Sequence, residues 1–316
     1  MKIAVLFPGQ GSQYVGMGRE FVETNSNCAD IMERAESVCD FPIRSLSFNG
    51  PIEQLTRASV VQPALTVTNL ICFQALKDRL PDGIQIDGFA GHSAGEYSAL
   101  CAAGVISIQD AVRLVERRGF FMEREGDKNP GGMRAILGLS IDEVESLIND
   151  HDGQGIVTIA NYNTAQQIVI SGNQEGLDAV SAAAEQSEAK VIPLKVSVAN
   201  HSPLVVEAVP DFFAFMSSIQ FNTPKSIVYF NVTAEPERLT YEIKQIMARQ
   251  IASRVRWYEI ITRMIADGFD TFIEAGPNKV LKNMMRKIVP KGSNVASLQF
   301  DTPESLEKCF EKLGLN

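Results

Sequence analysis

Gly88-Phe89-Ala90-Gly91-His92-Ser93-Ala94-Gly95-Glu96-Tyr97-Ser98-Ala99-Leu100-Cys101-Ala102-Ala103 is the stretch whose reading decides the fold. Gly88-Phe89-Ala90 is a short strand pattern, and Gly95 to Ala103 is helical. Between them Gly91-His92-Ser93-Ala94-Gly95 carries a serine flanked by small residues that permit a tight turn. Strand, sharp turn and helix form the context that a nucleophile elbow requires. A serine hydroxyl is a poor nucleophile at neutral pH. It needs a base within hydrogen-bond reach and donors for the oxyanion that follows its attack. The N–H of Ala94, at the helix start, is free to be one such donor. An isolated Gly-x-Ser-x-Gly match is as well read as a helix N-cap serine. The flanking strand and helix favour the nucleophile.

Outward from this elbow the chain alternates strands and helices. Ile3 to Phe7 is a buried strand closed by Pro8-Gly9. Helical patterns follow over residues 14–40, Ala64–Leu80 and 108–123. Gly131-Gly132 then interrupts the chain. The next stretch reads as strand Arg134–Leu139, helix Ile141–Asn149, strand Ile156–Ala160, strand Gln167–Ser171, helix Gln174–Gln186 and strand Val191–Val196. This βαββαβ order is the ferredoxin-like pattern, and it occupies 128–197 as an insertion. Beyond His201, strands near Ser226–Phe230, Thr271–Glu274 and Val295–Leu298 alternate with helices. The expectation is an α/β fold with a helix-covered parallel sheet over 1–127 and 198–316, and an α+β subdomain at 128–197.

The chain has 316 residues and a net charge of −9, so it offers no broad basic face for nucleic acid. Its five cysteines are irregularly spaced with no Cys-x-x-Cys pair, which suggests neither a metal site nor a disulfide framework. They fit a reducing, cytoplasmic setting. The N-terminal apolar run is too short for a signal peptide, and no stretch reads as the ~18 apolar residues of a membrane span.

Three histidines make the search for a base short. His92 adjoins the serine, and a strand neighbour points to the opposite side. His151 lies in the polar loop Asn149-Asp150-His151-Asp152-Gly153. His201, in Ala199-Asn200-His201-Ser202-Pro203, stands where a strand ends and a helix begins, the place where ligands bind in such sheets. By elimination it is the candidate base. Gly9-Gln10-Gly11-Ser12-Gln13 follows the first strand and lets the backbone approach a substrate, with the Gln10 N–H available. It lacks the Gly-Lys-Ser/Thr of a P-loop.

Taken together, several segments resemble one family, the malonyl-CoA:acyl carrier protein transacylases and the related acyltransferases of polyketide synthases. They are Phe7-Pro8-Gly9-Gln10-Gly11-Ser12-Gln13, Gln62-Pro63-Ala64-Leu65, Gly91-His92-Ser93-Ala94-Gly95-Glu96 and Arg118-Gly119 with Met122. Gly131-Gly132-Met133, Val169-Ile170-Ser171-Gly172, His201-Ser202, Asn231-Val232-Thr233 and Glu274-Ala275-Gly276-Pro277 complete the set, which spans nearly the whole chain.

The resemblance implies an α/β-hydrolase-like core with an inserted ferredoxin-like subdomain. It implies that Ser93 is the nucleophile and His201 the base, that Gln10 and Ala94 supply oxyanion-hole amides, and that Arg118 binds the malonyl carboxylate. A backbone carbonyl takes the place of a triad aspartate, by position that of Arg256. It also implies malonyl-CoA and an acyl carrier protein as partners and no resident cofactor; a monomer is the expectation, and the residues suggest no metal. Carrier proteins of this kind are acidic, so Lys279, Lys282, Arg286, Lys287 and Lys291, with Lys190, form an expected docking patch. Ala94 replaces a frequent leucine, Asn200 a frequent phenylalanine, and Arg134 a common alanine. The competing activities are a polyketide acyltransferase with another extender unit, a carrier-protein acyl hydrolase, and a non-catalytic carrier-protein scaffold. Arg118 argues against the hydrolase, and Ser93 with His201 against the scaffold.

Overall fold

The computed structural model describes residues 1–151, 153, 155–196 and 198–315. The expected unit boundaries at Ser197 and Asn316, and Asp152 beside His151, lie outside the described residues. One sheet is parallel and contains β1 (Ile3–Phe7), β2 (Ile86–Gly91), β7 (Ile227–Tyr229), β8 (Thr271–Ala275) and β9 (Ala296–Phe300) in the order β7-β2-β1-β8-β9. Every residue of β1 and β8 is buried, because helices cover both faces of the central strands. On one face Phe7, Phe73 and Phe89 pack edge to face and stacked, and on the other Trp257 and Phe272 belong to a second apolar cluster.

The intervening strands β3 (Gly132–Leu137), β4 (Val157–Thr164), β5 (Gln167–Gly172) and β6 (Lys190–Pro193) form a separate antiparallel sheet in the order β4-β5-β3-β6. Ile136, Ile159, Ile168 and Ile170 project from this sheet onto Val144, Leu177 and Val180 of the helices Ile141–Asn149 and Gln174–Gln186. Both helices have the predicted bounds. β6 stops at Pro193 instead of reaching Val196: the Leu194 N–H still donates to the Met133 carbonyl of β3 at 2.9 Å, but the Val196 N–H turns back to the Leu194 carbonyl.

Other differences have local causes. The pattern over 14–40 divides into helices Arg19–Thr24 and Ser26–Glu36, because the Asn25 side chain accepts from the N–H groups of Asn27 and Cys28 and starts a new helix. The helix Ala58–Arg79 begins at Ala58 and not at Ala64, with Pro63 tolerated near its N-terminal end. By length and composition this helix is apolar enough to cross a bilayer, contrary to the expectation. Its apolar window is 89% buried inside the molecule, so its character is that of a core helix. Arg134, unexplained in the sequence, ties β3 to the helix Gln174–Gln186: its guanidinium donates to the Leu177 carbonyl and the Ser181 hydroxyl and pairs with Asp178.

What places the functional site is the meeting of two chain reversals at the carboxyl ends of β1 and β2, where Phe7 lies in register with Gly91. A Cβ on Gly9 would sit 2.3 Å from the His92 carbonyl oxygen, and one on Gly95 would sit 2.2 Å from that of Phe7. The two turns therefore touch backbone to backbone, and only glycine allows it. Gly95→Ala is expected to force the turns apart and to lower stability by roughly 3 kcal/mol or more, read as a fall in the denaturant midpoint.

Candidate active site

Ser93 follows β2 and precedes the helix Gly95–Ala102 in the left-handed region, with φ 51°. Such a conformation costs a non-glycine residue roughly 1–3 kcal/mol and persists only when neighbours over-determine it. Here Asn231 does so. Its Oδ1 accepts the Ser93 N–H at 2.8 Å and its Nδ2 donates to the Gly91 carbonyl at 2.7 Å. The serine oxygen is thereby lifted out of the turn.

His201 is also left-handed, with φ 59°, and is 4% exposed. Its Nε2 lies 2.8 Å from Ser93 Oγ. Its Nδ1 faces two carbonyl oxygens, Gln250 and Ser253, each at 2.9 Å. Carbonyls only accept, so the proton sits on Nδ1 and Nε2 is left as the acceptor for the serine hydroxyl. Burial, reinforced by the Arg118 charge, pushes the imidazole pKa down to about 3. The ring is neutral at physiological pH, as a base must be.

The orienting carbonyl is not that of Arg256. The Arg256 oxygen is spent within its own helix, accepting from Ile260 N–H at 2.9 Å, and its guanidinium pairs with Glu259. Gln250 closes the helix Thr240–Gln250, where final carbonyls have no partner within the helix; its oxygen faces the imidazole and also accepts the Ser253 N–H at 3.3 Å.

Arg118, on the helix Ile108–Lys128, is 1% exposed. Its guanidinium donates to Gln62 Oε1 at 2.7 Å, to Gln250 Oε1 at 2.9 and 3.1 Å, and to Ser93 Oγ at 3.2 Å. Met122 Sδ lies 3.2 Å from Nη1. Among the described residues no carboxylate comes within ion-pair distance, and desolvation lowers its pKa. A buried cation held only by neutral acceptors is a costly arrangement, and it is one that a ligand carboxylate would relieve.

Two backbone donors remain. Neither the Gln10 nor the Ala94 N–H donates to a group among the described residues, while the neighbouring Ser93, Gly95 and Glu96 N–H groups are all engaged. Gln10 and Ser93 both line a cleft of about 150 Å³. Its far wall is the antiparallel sheet, through Met133, Asn161 and Val169, and its rim includes Val280 and Met284. Asn200 also lines it, with its side-chain oxygen unpartnered. His92 turns from the serine to Asn163 Oδ1, 2.8 Å away, and packs its ring on Trp257. His151 does not line the cleft.

The structure thus brings Ser93, His201, Arg118, Gln10 and Ala94 together and leaves Arg256 aside. Sequence reading missed Gln250 altogether, and nothing local marks it. Gln62, Glu96 and Asn231 stood in the motifs without a role.

Residues 5–300 match the family model of the acyl transferase domain, which sets the class. The malonyl CoA-acyl carrier protein transacylase of Bacillus subtilis is 37% identical over 314 residues, covering 99% of this chain and 97% of that protein. The crystal structure of the malonyl CoA-acyl carrier protein transacylase of Clostridium perfringens is 34% identical with a TM-score of 0.93, covering 99% and 98% of the two chains. A type II polyketide acyl-carrier protein complex with its malonyl-transacylase gives 30% and 0.93, covering 99% and 100%. This chain belongs to the malonyl CoA-acyl carrier protein transacylase family.

The His201 environment makes a prediction. Arg118 disfavours the imidazolium, so Arg118→Met should raise the His201 pKa, followed by NMR of the ring protons with His201→Asn for assignment. In the unaltered protein the unfolded chain takes up this proton near pH 6.5 and the folded one near 3. Between those values stability falls as pH falls, and the variant should narrow that window from its acid side.

Proposed function

We propose that this chain transfers a malonyl group from malonyl-CoA to the phosphopantetheine thiol of an acyl carrier protein through a malonyl ester on Ser93. The observation that carries the reading is Arg118, a buried guanidinium with no carboxylate partner among the described residues, 3.2 Å from the serine oxygen. A guanidinium takes a carboxylate in a bidentate, charge-assisted contact. That contact holds the free end of a malonyl group while its thioester carbon meets Ser93 Oγ.

In the first half-reaction Ser93 Oγ attacks the thioester carbonyl and His201 Nε2 takes its proton. The Gln10 and Ala94 N–H groups receive the oxyanion. The C–S bond breaks, and the proton on His201 goes to the departing CoA thiolate. In the second half the carrier's thiol gives its proton to His201, its sulfur attacks the same ester, and Ser93 leaves with the proton. One site used twice predicts ping-pong kinetics. The chemistry uses side chains and backbone amides alone, with no metal or resident cofactor.

The reading extends to the partner. Lys279, Arg286 and Lys287 are exposed on or beside the helix Val280–Ile288, whose Val280 and Met284 reach the cleft. None has a carboxylate within ion-pair distance among the described residues. Together with the exposed Lys190 they support docking of an acidic carrier at the cleft mouth. We assign the parallel-sheet unit to 1–127 and 198–316 and the smaller unit to 128–197. The enzyme acts as a cytoplasmic monomer.

Ser93→Ala is expected to abolish the malonyl adduct that malonyl-CoA leaves on the protein, read by intact mass, and with it transfer to the carrier. Turnover at the unaltered rate would reject the ester intermediate. Arg118→Ala is expected to cut malonyl loading by about 100-fold while acetyl-CoA loading holds or rises. An unchanged malonyl-to-acetyl ratio would reject the carboxylate role.

A further inference from the structure

Glu96 lies one residue past the elbow glycine, on the helix Gly95–Ala102, and is fully buried. It hydrogen-bonds to neither Ser93 Oγ nor the Arg118 guanidinium. Its Oε1 accepts the Asn231 backbone N–H at 2.7 Å, and its Oε2 accepts from Gln250 Nε2 at 2.5 Å. The same Gln250 Nε2 donates to the Ser93 carbonyl at 2.8 Å, and Gln250 Oε1 accepts twice from Arg118. We propose that Glu96 is a positioning residue that sets the amide orientation of Gln250, and through it presents Arg118 to the substrate carboxylate.

The reasoning is one of hydrogen-bond polarity. An amide offers donors on one side and acceptors on the other, and it can turn over. Burial pushes the Glu96 carboxyl up to about 8, while the hydrogen bonds from the Asn231 N–H and the Gln250 amide, with the nearby Arg118 charge, favour its ionised form; in that form it only accepts. Facing Glu96 and the Ser93 carbonyl, Gln250 must point its NH2 inward, which leaves its oxygen toward Arg118. Turned over, it would set NH2 against the guanidinium, donor against donor. Gln62 supplies one further acceptor, so the guanidinium is held in one plane by two side-chain oxygens. Glu96 anchors the elbow at the same time, since the Asn231 it holds is the residue that caps Ser93 N–H. One buried acceptor thereby links the nucleophile's turn to the carboxylate-binding cation.

The substitution Glu96→Gln tests this with almost no change of shape. The Asn231 N–H cannot turn, so the introduced amide gives it the oxygen and sets its own NH2 toward Gln250. Gln250 then relieves the clash only by turning over, against Arg118.

The inference rests on the reading of Arg118 given above, and the experiment separates the two. Malonyl and acetyl loading are measured by intact mass and as kcat/KM for Glu96→Gln, Arg118→Met, Gln250→Met and the double variant Glu96→Gln/Gln250→Met. Arg118→Met alone decides the carboxylate role. If it collapses the malonyl-to-acetyl ratio, Glu96→Gln is expected to lower malonyl kcat/KM by about tenfold, chiefly through KM, with acetyl loading within about threefold. The double variant should match Gln250→Met within about threefold, because Glu96 acts through Gln250. A Glu96→Gln enzyme that keeps the ratio, or that loses malonyl and acetyl loading alike, overturns the proposal. So does a double variant that loses about a further tenfold. Should Glu96→Gln fail to fold, the Gln250→Met background removes the clash, and comparison of that variant with the double decides the matter.

Discussion

A guanidinium sealed in a protein interior, with no carboxylate within ion-pair distance among the described residues, is the constraint around which this molecule is arranged. Burying a charge costs several kcal/mol even after relaxation, and the chain meets that cost with neutral acceptors drawn from distant segments. Gln62 comes from the long core helix, Gln250 from the end of another helix, and Met122 from the next turn of the arginine's own. Each leaves the positive charge unneutralised. A carboxylate in place of Gln250 would give a closed ion pair with nothing left for a ligand. The amide supports the cation and keeps it available.

The same logic governs the serine and its base. Both occupy left-handed backbone, and each is pinned by groups outside its own segment: Asn231 holds the Ser93 N–H, and the Ile251 carbonyl accepts that of His201 at 3.0 Å. Gln250 joins the two halves. Its backbone oxygen orients the imidazole, and its side chain bonds the Ser93 carbonyl and Arg118. Nucleophile, base and cation therefore share one residue as a common support. A disturbance at any of the three is felt at the others, although Arg118 and His201 lie 25 and 108 positions from Ser93 in sequence.

How much of this could be read from the chain follows from the range of each interaction. The elbow is local: strand, small residues and helix are contiguous, and Ser93 was legible from them. His201 was legible for a statistical reason, because only three histidines compete. The antiparallel unit was legible because period-two and helical patterns alternate with short turns, and the bounds of two of its helices followed directly. Arg118 looks like any helix arginine until the family motifs single it out. Gln250 was invisible, since a polar residue near a helix end reads as surface and its partners are 132 and 154 positions away. The assignment of the histidine's partner to Arg256 failed for the same reason. Which carbonyl is free depends on where a helix stops, and helix ends are the part of a sequence pattern that carries least information.

The charge on Arg118 bears on rate as well as on binding. After burial, it is the main influence that holds the His201 pKa down to about 3, so the base is neutral but weak. Under the carboxylate role proposed for Arg118, a malonyl carboxylate would offset that charge and, by the same Coulombic sign, raise the proton affinity of the imidazole as Ser93 is deprotonated. Acetyl has no such charge and leaves the base weak. On that reading, an acyl group that satisfies the guanidinium would be favoured twice, once in being held and once in being attacked.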